Sequence, residues 1–248
     1  MPDIERQVKV SNRTFYDTVG AAYERLDGRR SSRLARYVTG RLSAIACAGD
    51  SMAMLDLGCG SGFISRLGNS LFSQVFAVDI SPAILSSINQ AYPYRVAADT
   101  DFLPFRDNSF SCVCAFAMLH HCFGFDKILA EAYRVLKRGG IFYSDHDMDQ
   151  TFFLRYRLLL EAYRRIKCPA AKFRTCFPEL SDTIYRQAEY HETGIPSTTI
   201  VSMLHQSGFS NAEVSYHWYG LSFPTDLLFG TIVLPRGLAP LVRIQATK

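Results

Sequence analysis

The run Leu55-Asp56-Leu57-Gly58-Cys59-Gly60-Ser61-Gly62 constrains this chain more than any other stretch. An apolar segment, Met52 to Leu57, enters it, and an amphipathic one, Phe63 to Phe72, leaves it. That pattern spells strand, tight glycine turn, helix. Gly58 and Gly60 carry no Cβ, so they tolerate positive φ and let a ligand approach the main chain. The first N–H groups of the following helix lack internal partners, which favours a polar or anionic ligand group there. A second apolar run, Gln74-Val75-Phe76-Ala77-Val78-Asp79, ends in a carboxylate, about 20 residues beyond the glycines, where a doubly wound sheet places an acid against ribose hydroxyls. A nucleoside-bearing ligand is therefore expected. The Gly-x-Gly-x-Gly spacing is not the Gly-x-Gly-x-x-Gly of dinucleotide sites.

The same alternation continues down the chain. Strands are predicted over 52–57, 74–79, 94–98, 111–117 and 141–145. Helices are predicted between them over 62–72, from Ser81-Pro82, with Ser81 as N-cap and Pro82 at the first helical position, and over 125–137, where Gly139-Gly140 stops the last. Upstream, Tyr16, Val19, Tyr23 and Leu26 recur at helical spacing within 12–46. Gly28 interrupts that pattern, and a second helix follows from about Ser31 to Cys47. Residues 147–197 break the alternation with an amphipathic helix, Phe152 to Ile166, and another over 179–190. They read as a cap over the site, with a dimer contact or a membrane-surface helix as alternatives. A helix from Ser197 or Thr198 to Gln206, stopped by Gly208, precedes strands at 214–218 and 241–246. The 219–240 segment is longer than a hairpin needs and is expected to border the pocket.

LDLGCGSG, FAVDISPAIL, AADTDFLPFRDNSF, AFAMLHH and RVLKRGG, in that order over residues 50–146, resemble the ordered motifs of class I S-adenosylmethionine-dependent methyltransferases. The resemblance is to the broad type 11 branch that includes the ubiquinone and menaquinone C-methyltransferases. It implies an α/β, doubly wound Rossmann-like fold with a seven-stranded, mainly parallel sheet of order 3-2-1-4-5-7-6 and strand 7 antiparallel. It implies one domain over 1–248: N-terminal helices (1–48) over the cofactor, a cofactor-binding core (49–146), a helical cap insertion (147–197) and a C-terminal helix with a strand hairpin (198–248). The implied cofactor is S-adenosylmethionine, with S-adenosylhomocysteine as product. Carried over residue by residue, Asp56 orders the glycine turn and reaches toward the methionine amino group. Gly58, Cys59 and Gly60 pass the methionine part, Asp79 holds the ribose and Ile80 lies on the adenine. Asp99 binds the adenine amino group, Thr100 offers backbone contacts, Phe116 or Ala117 lies near the methionine segment, and Tyr16 and Tyr23 fold over the cofactor. Two motifs depart from the family: Phe110-Ser111 replaces Phe-Asp, and Lys137-Arg138-Gly139-Gly140 replaces Lys-Pro-Gly-Gly.

Methyl transfer asks the protein mainly for alignment, and some acceptors need a base. His120, His121 and His146 are the candidates, the last flanked by Asp145 and Asp147, which would raise its basicity. No metal is expected, because adjacent strand residues such as Asp145, His146 and Asp147 point to opposite faces. Asp101 and Asp107 read as surface turn acids. The seven cysteines are scattered without a Cys-x-x-Cys pair, as in a reduced, cytoplasmic enzyme. No apolar run of membrane-spanning length appears, and the N-terminus has no signal-peptide core. Net charge is +4, with 1–41 and 151–180 basic and the remainder acidic. Those basic segments read first as solvated helix faces, and as a functional feature they suit an anionic substrate, RNA or a lipid headgroup. The expected partner is a small-molecule acceptor, natural-product or quinone-like, with peripheral membrane contact open, no nucleic acid and a monomer or homodimer. The alternatives are an RNA methyltransferase, a non-catalytic binder of the cofactor, and a relative that uses the sulfonium for cyclisation or decarboxylation.

Overall fold

The computed structural model describes residues 2–23, 26, 31–88, 94–167, 173 and 175–248; Gly28 lies outside them. Seven strands form one sheet of order β3-β2-β1-β4-β5-β7-β6. They are β1 (Ala53–Leu57), β2 (Gln74–Asp79), β3 (Tyr94–Ala97), β4 (Phe110–Phe116), β5 (Leu136–Met148), β6 (Ser210–His217) and β7 (Leu241–Thr247). The pairs from β3 through β5 are parallel, and β7 runs antiparallel to both β5 and β6. This is the expected order, and its strand order reverses between β1 and β4, where ligands collect beyond the strand tips of such sheets.

Each central strand feeds both faces because successive side chains alternate. In β4, Val113 and Ala115 enter one core with Ile128, Leu129 and Ala132 of α5 (Asp126–Val135) and Ile200 and Leu204 of α9 (Ser197–Gln206). Cys112, Cys114 and Phe116 enter the other, with Leu34, Val38, Leu42 and Ile45 of α2 (Ser32–Ala48) and Phe63 and Ile64 of α3 (Phe63–Gly68). A third cluster joins Phe15, Tyr16 and Val19 of α1 (Pro2–Val19) to Ile84 of α4 (Pro82–Ser87), Leu180 and Ala188 of α8 (Asp182–Ala188).

Several expectations are corrected. α1 starts at Pro2, ten residues before the expected helix. Pro at the first position and Asp3 and Glu5 in the first turn are favourable start signals. The helix after β4 stops at Val135, not at Gly139-Gly140. Those glycines lie inside β5, where Gly139 has φ +75° and β5 slips register against β4. The 152–166 helix is two helices, α6 (Gln150–Arg155) and α7 (Arg157–Lys167). α9 starts at Ser197 and ends at Gln206 as expected, and the Ser197 hydroxyl donates to buried Asp149. Ser81 does cap α4, accepting from the Ile84 N–H at 3.1 Å. Between β6 and β7 the chain folds α10 (Phe223–Phe229). No described helix is long and apolar enough to cross a membrane.

Candidate functional site

A crevice of about 950 Å³, open to solvent, lies beyond the tips of β1, β2 and β4. Its floor is the glycine turn. Gly58 has φ +58°, and a Cβ there would fall 2.3 Å from Met118 Cγ; only glycine allows that approach. Gly60 has φ +51°, and a Cβ there would meet nothing within 4 Å, so its main chain fronts open space. α3 is only six residues long, and the Gly60 N–H donates to Asp79 Oδ2 at 3.0 Å, tying the glycine turn to the tip of β2.

Three carboxylates converge on the crevice from strand tips. Asp56 accepts from Ser65 Oγ at 2.6 Å. Asp79 accepts the Ser81 N–H on Oδ1 at 2.9 Å and the Gly60 N–H on Oδ2. Burial pushes its pKa up to about 6, against the pull of those backbone donors. Asp99 accepts the Asp101 N–H at 3.0 Å and pairs with Lys9 at 2.8 Å. Asp101, expected on the surface, also lines the crevice and pairs with Lys9 at 2.5 Å. Asp107 remains a surface acid, paired with Arg134.

α1 closes one wall with Val8, Lys9, Asn12 and Tyr16. Starting that helix at residue 12 hid the first two. Asn12 Nδ2 donates to the carbonyl of His121 at 3.0 Å, tying the helix to the turn after β4. Tyr23 lies edge-on to Tyr16, ring centroids 5.3 Å apart. Every residue that the resemblance assigned to the cofactor (Tyr16, Tyr23, Asp56, Gly58, Cys59, Gly60, Asp79, Ile80, Asp99, Thr100 and Phe116) borders this one crevice. No described residue of 147–197 or 219–240 does. The insertion meets the site at second hand: α8 packs against α1.

The three candidate histidines separate. His121 lines the crevice. Its Nδ1 lies 2.6 Å from the Ala188 carbonyl and its Nε2 2.9 Å from the Tyr16 hydroxyl. A carbonyl only accepts, so Nδ1 carries the proton and Nε2 accepts from Tyr16. Burial, with the neighbouring His120 charge, lowers its pKa to about 4. His120 does not border the crevice. Burial opposes its charge, but Asp147 at 2.6 Å and Glu189 at 3.4 Å prevail and raise it to about 10. His146 is not in the wall. With φ +71° it leaves the strand alternation, stacks behind Phe116 at 4.4 Å and meets Asp145 at 3.0 Å. That φ also corrects the expectation that Asp145 and His146 point apart. Asp145, His146 and His217 bring ligand atoms within 4.8 Å, as do His120, His121 and Glu189. In the first set the contacts are hydrogen bonds: Asp145 Oδ1 accepts from His217 Nε2 at 2.8 Å and from His146, and Oδ2 from Tyr143 at 2.7 Å. The two histidines hold the Asp145 carboxyl well below its ordinary range despite full burial.

Residues 55–144 match the family model described as a methyltransferase domain. Over 127 residues the chain is 28% identical to the malonyl-[acyl-carrier protein] O-methyltransferase of Serratia marcescens, covering 50% of each. Over 98 residues it is 34% identical to the mitochondrial arginine-hydroxylase NDUFAF5 of Mus musculus, covering 38% of this chain and 29% of that one. The chain thus spans half or less of the length of these curated relatives. A solved S-adenosylmethionine-dependent methyltransferase of Thermotoga maritima, titled a possible histamine N-methyltransferase, shares the fold with a TM-score of 0.62 at 18% identity, over 95% of this chain and 99% of that one. Over residues 55–144 the chain is thus similar to the methyltransferase-domain family, and S-adenosylmethionine is the cofactor that this similarity implies.

Proposed function

We propose that this protein is an S-adenosylmethionine-dependent methyltransferase whose acceptor is a small molecule bearing an ionisable O–H or N–H, with His121 as the base. The observation that carries this reading is the crevice itself, where three strand-tip carboxylates face a neutral imidazole of fixed tautomer. Two features fit the cofactor. Asp79 accepts backbone N–H groups on both oxygens and keeps an acceptor position for a ribose hydroxyl. The open space over Gly60 gives the methionine part room against the main chain. Asp79 would hold the ribose, Asp99 and Thr100 the adenine edge, and Ile80 its face. Asp56, Gly58, Cys59 and Gly60 would hold the methionine end, with Tyr16, Tyr23 and Phe116 offering ring faces to a cation.

When bound, the cofactor supplies an electrophilic methyl group on a positive sulphur. The rest falls to the chain. Nε2 of His121 gives up the Tyr16 hydroxyl and receives the acceptor proton directly, or receives it through that hydroxyl. Nδ1–H on the Ala188 carbonyl fixes which nitrogen does so. Neither His120 nor His146 is assigned a catalytic role.

The test is incubation of the pure protein with methyl-labelled S-adenosylmethionine and, separately, the small-molecule and RNA fractions of a cell extract. Label recovered in the small-molecule fraction is the expected result. Label in RNA, with binding that falls steeply with salt, would overturn the acceptor class. Tight cofactor binding without label in either fraction would overturn the activity.

A further inference from the structure

α7 is built inside out. Leu158, Ala162 and Ile166 recur every four residues with Leu159 and Tyr163 beside them, forming one arc of the helix. That arc faces away from the protein: Leu158 is 83% and Ile166 81% exposed, and Leu159 and Tyr163 are more than half exposed. The arc turned inward holds half-buried Leu160 and Arg164. Arg164 donates to the Glu192 carbonyl at 2.5 Å, and its guanidinium lies 5.0 Å from the Phe153 ring. A second strip comes from α10 and the turn after it, where Phe223, Leu227, Leu228, Ile232 and Val233 are each more than half exposed. Trp218 couples the strips, 5.3 Å from Phe152 of α6 and stacked at 5.0 Å on Phe229 of α10. Of the seventeen exposed large apolar side chains among the described residues, ten lie between Leu154 and Ile166 or between Phe223 and Val233. Apolar surface so concentrated marks a docking face.

Charge identifies what it fits. Arg155, Arg157, Arg165 and Arg236 are exposed around the apolar strips. Against these four arginines stand two acids, Glu161, paired with Arg157 at 2.7 Å, and Asp226, which accepts the Gly220 N–H at 2.7 Å, so the exposed rim keeps a net positive charge. A helix with an apolar arc flanked by arginines lies in a bilayer interface, its alkyl groups below the headgroups and its guanidinium groups at the phosphates. A second copy of this chain fits less well, because two-fold pairing would bring like-charged arginine sets together. We propose that α6, α7 and α10 form a docking surface for an anionic lipid bilayer.

The experiment sediments the purified full chain with vesicles of phosphatidylglycerol and phosphatidylcholine, or of phosphatidylcholine alone, and reads solution mass by light scattering. The chain is expected to pellet with the anionic vesicles and to be released by salt. The double variant L158E/I166E should bind them roughly a hundredfold more weakly, and L227E/L228E should also weaken. Both pairs are solvent-exposed, so their far-UV spectra should match the parent. A parent that ignores anionic vesicles, or variants that pellet as it does, would overturn the proposal. So would a dimer that L158E/I166E converts to monomer, which would assign the face to a second copy.

Discussion

Asp79 gives the sharpest test of how the crevice holds its cofactor. Burial places its carboxyl at about 6 rather than the ordinary 3.8, so it changes charge in an accessible range. If the ionised form receives the ribose hydroxyls, affinity must track that charge. About nine tenths of the sites are ionised near pH 7 and about one tenth near pH 5, so Kd should rise roughly tenfold between them. Asp79→Asn keeps the shape but cannot ionise. Losing one or two charge-assisted hydrogen bonds costs about 2–4 kcal/mol, or roughly 30- to 1,000-fold in Kd, and the variant's remaining affinity should no longer vary with pH. The apo protein should trend differently. A folded value above the unfolded one means stability present below about pH 4 and lost as the pH rises through about 6, on the order of 3 kcal/mol in all. Titration calorimetry with S-adenosylmethionine across this range, beside melting curves without it, measures both. A flat Kd between the two pH values, or an asparagine variant that keeps the slope, would refute the ribose role.

Three further outcomes follow from the same geometry. His121→Gln should lower kcat by about 10²- to 10⁴-fold while leaving cofactor affinity by calorimetry intact; equal losses in both would remove it as the base. Because His121 titrates near 4, the kcat profile of the parent should show no acid limb at the ordinary histidine value of 6.5. His120→Gln strips the cation from buried Asp147 and from Glu189 and should cost about 3–5 kcal/mol in urea unfolding. The parent's own share of that stability is present below about pH 6.5 and lost as the pH rises through about 10, and an alkaline melt that does not fall would contradict it. Gly58→Ala places a Cβ 2.3 Å from Met118 Cγ at φ +58°; the variant should lose cofactor binding, and Met118→Ala in the same chain should relieve the clash but not the backbone strain, so that binding recovers only in part.

What the sequence disclosed and what it withheld divide by range. Asp56, Asp79 and Asp99 stand at or just past strand ends, where an apolar run gives way to a turn, and a local pattern is enough to find them. Ser81 and Pro82 announce their helix for the same reason. The N-terminal start of α1 was also written locally, in Pro2, Asp3 and Glu5, but the apolar spacing from Tyr16 onward drew attention past it. The histidines were not readable in this way. His146 sits between two acids in the chain, which suggests an activated base, yet its φ of +71° turns it behind Phe116.

His120 and His121 are chemically identical neighbours, and only distant residues tell them apart. Asp147, 27 positions away, makes one a cation. The Ala188 carbonyl, 67 positions away, and Tyr16, 105 positions away, make the other a neutral acceptor of fixed tautomer. The two states are also one arrangement. Their ring centroids are 3.9 Å apart, and a cation that close adds to burial in keeping a proton off its neighbour. In the proposed mechanism His120, held charged by Asp147 and Glu189, keeps Nε2 of His121 free of a proton in the resting site, and by the same repulsion makes His121 a weaker base.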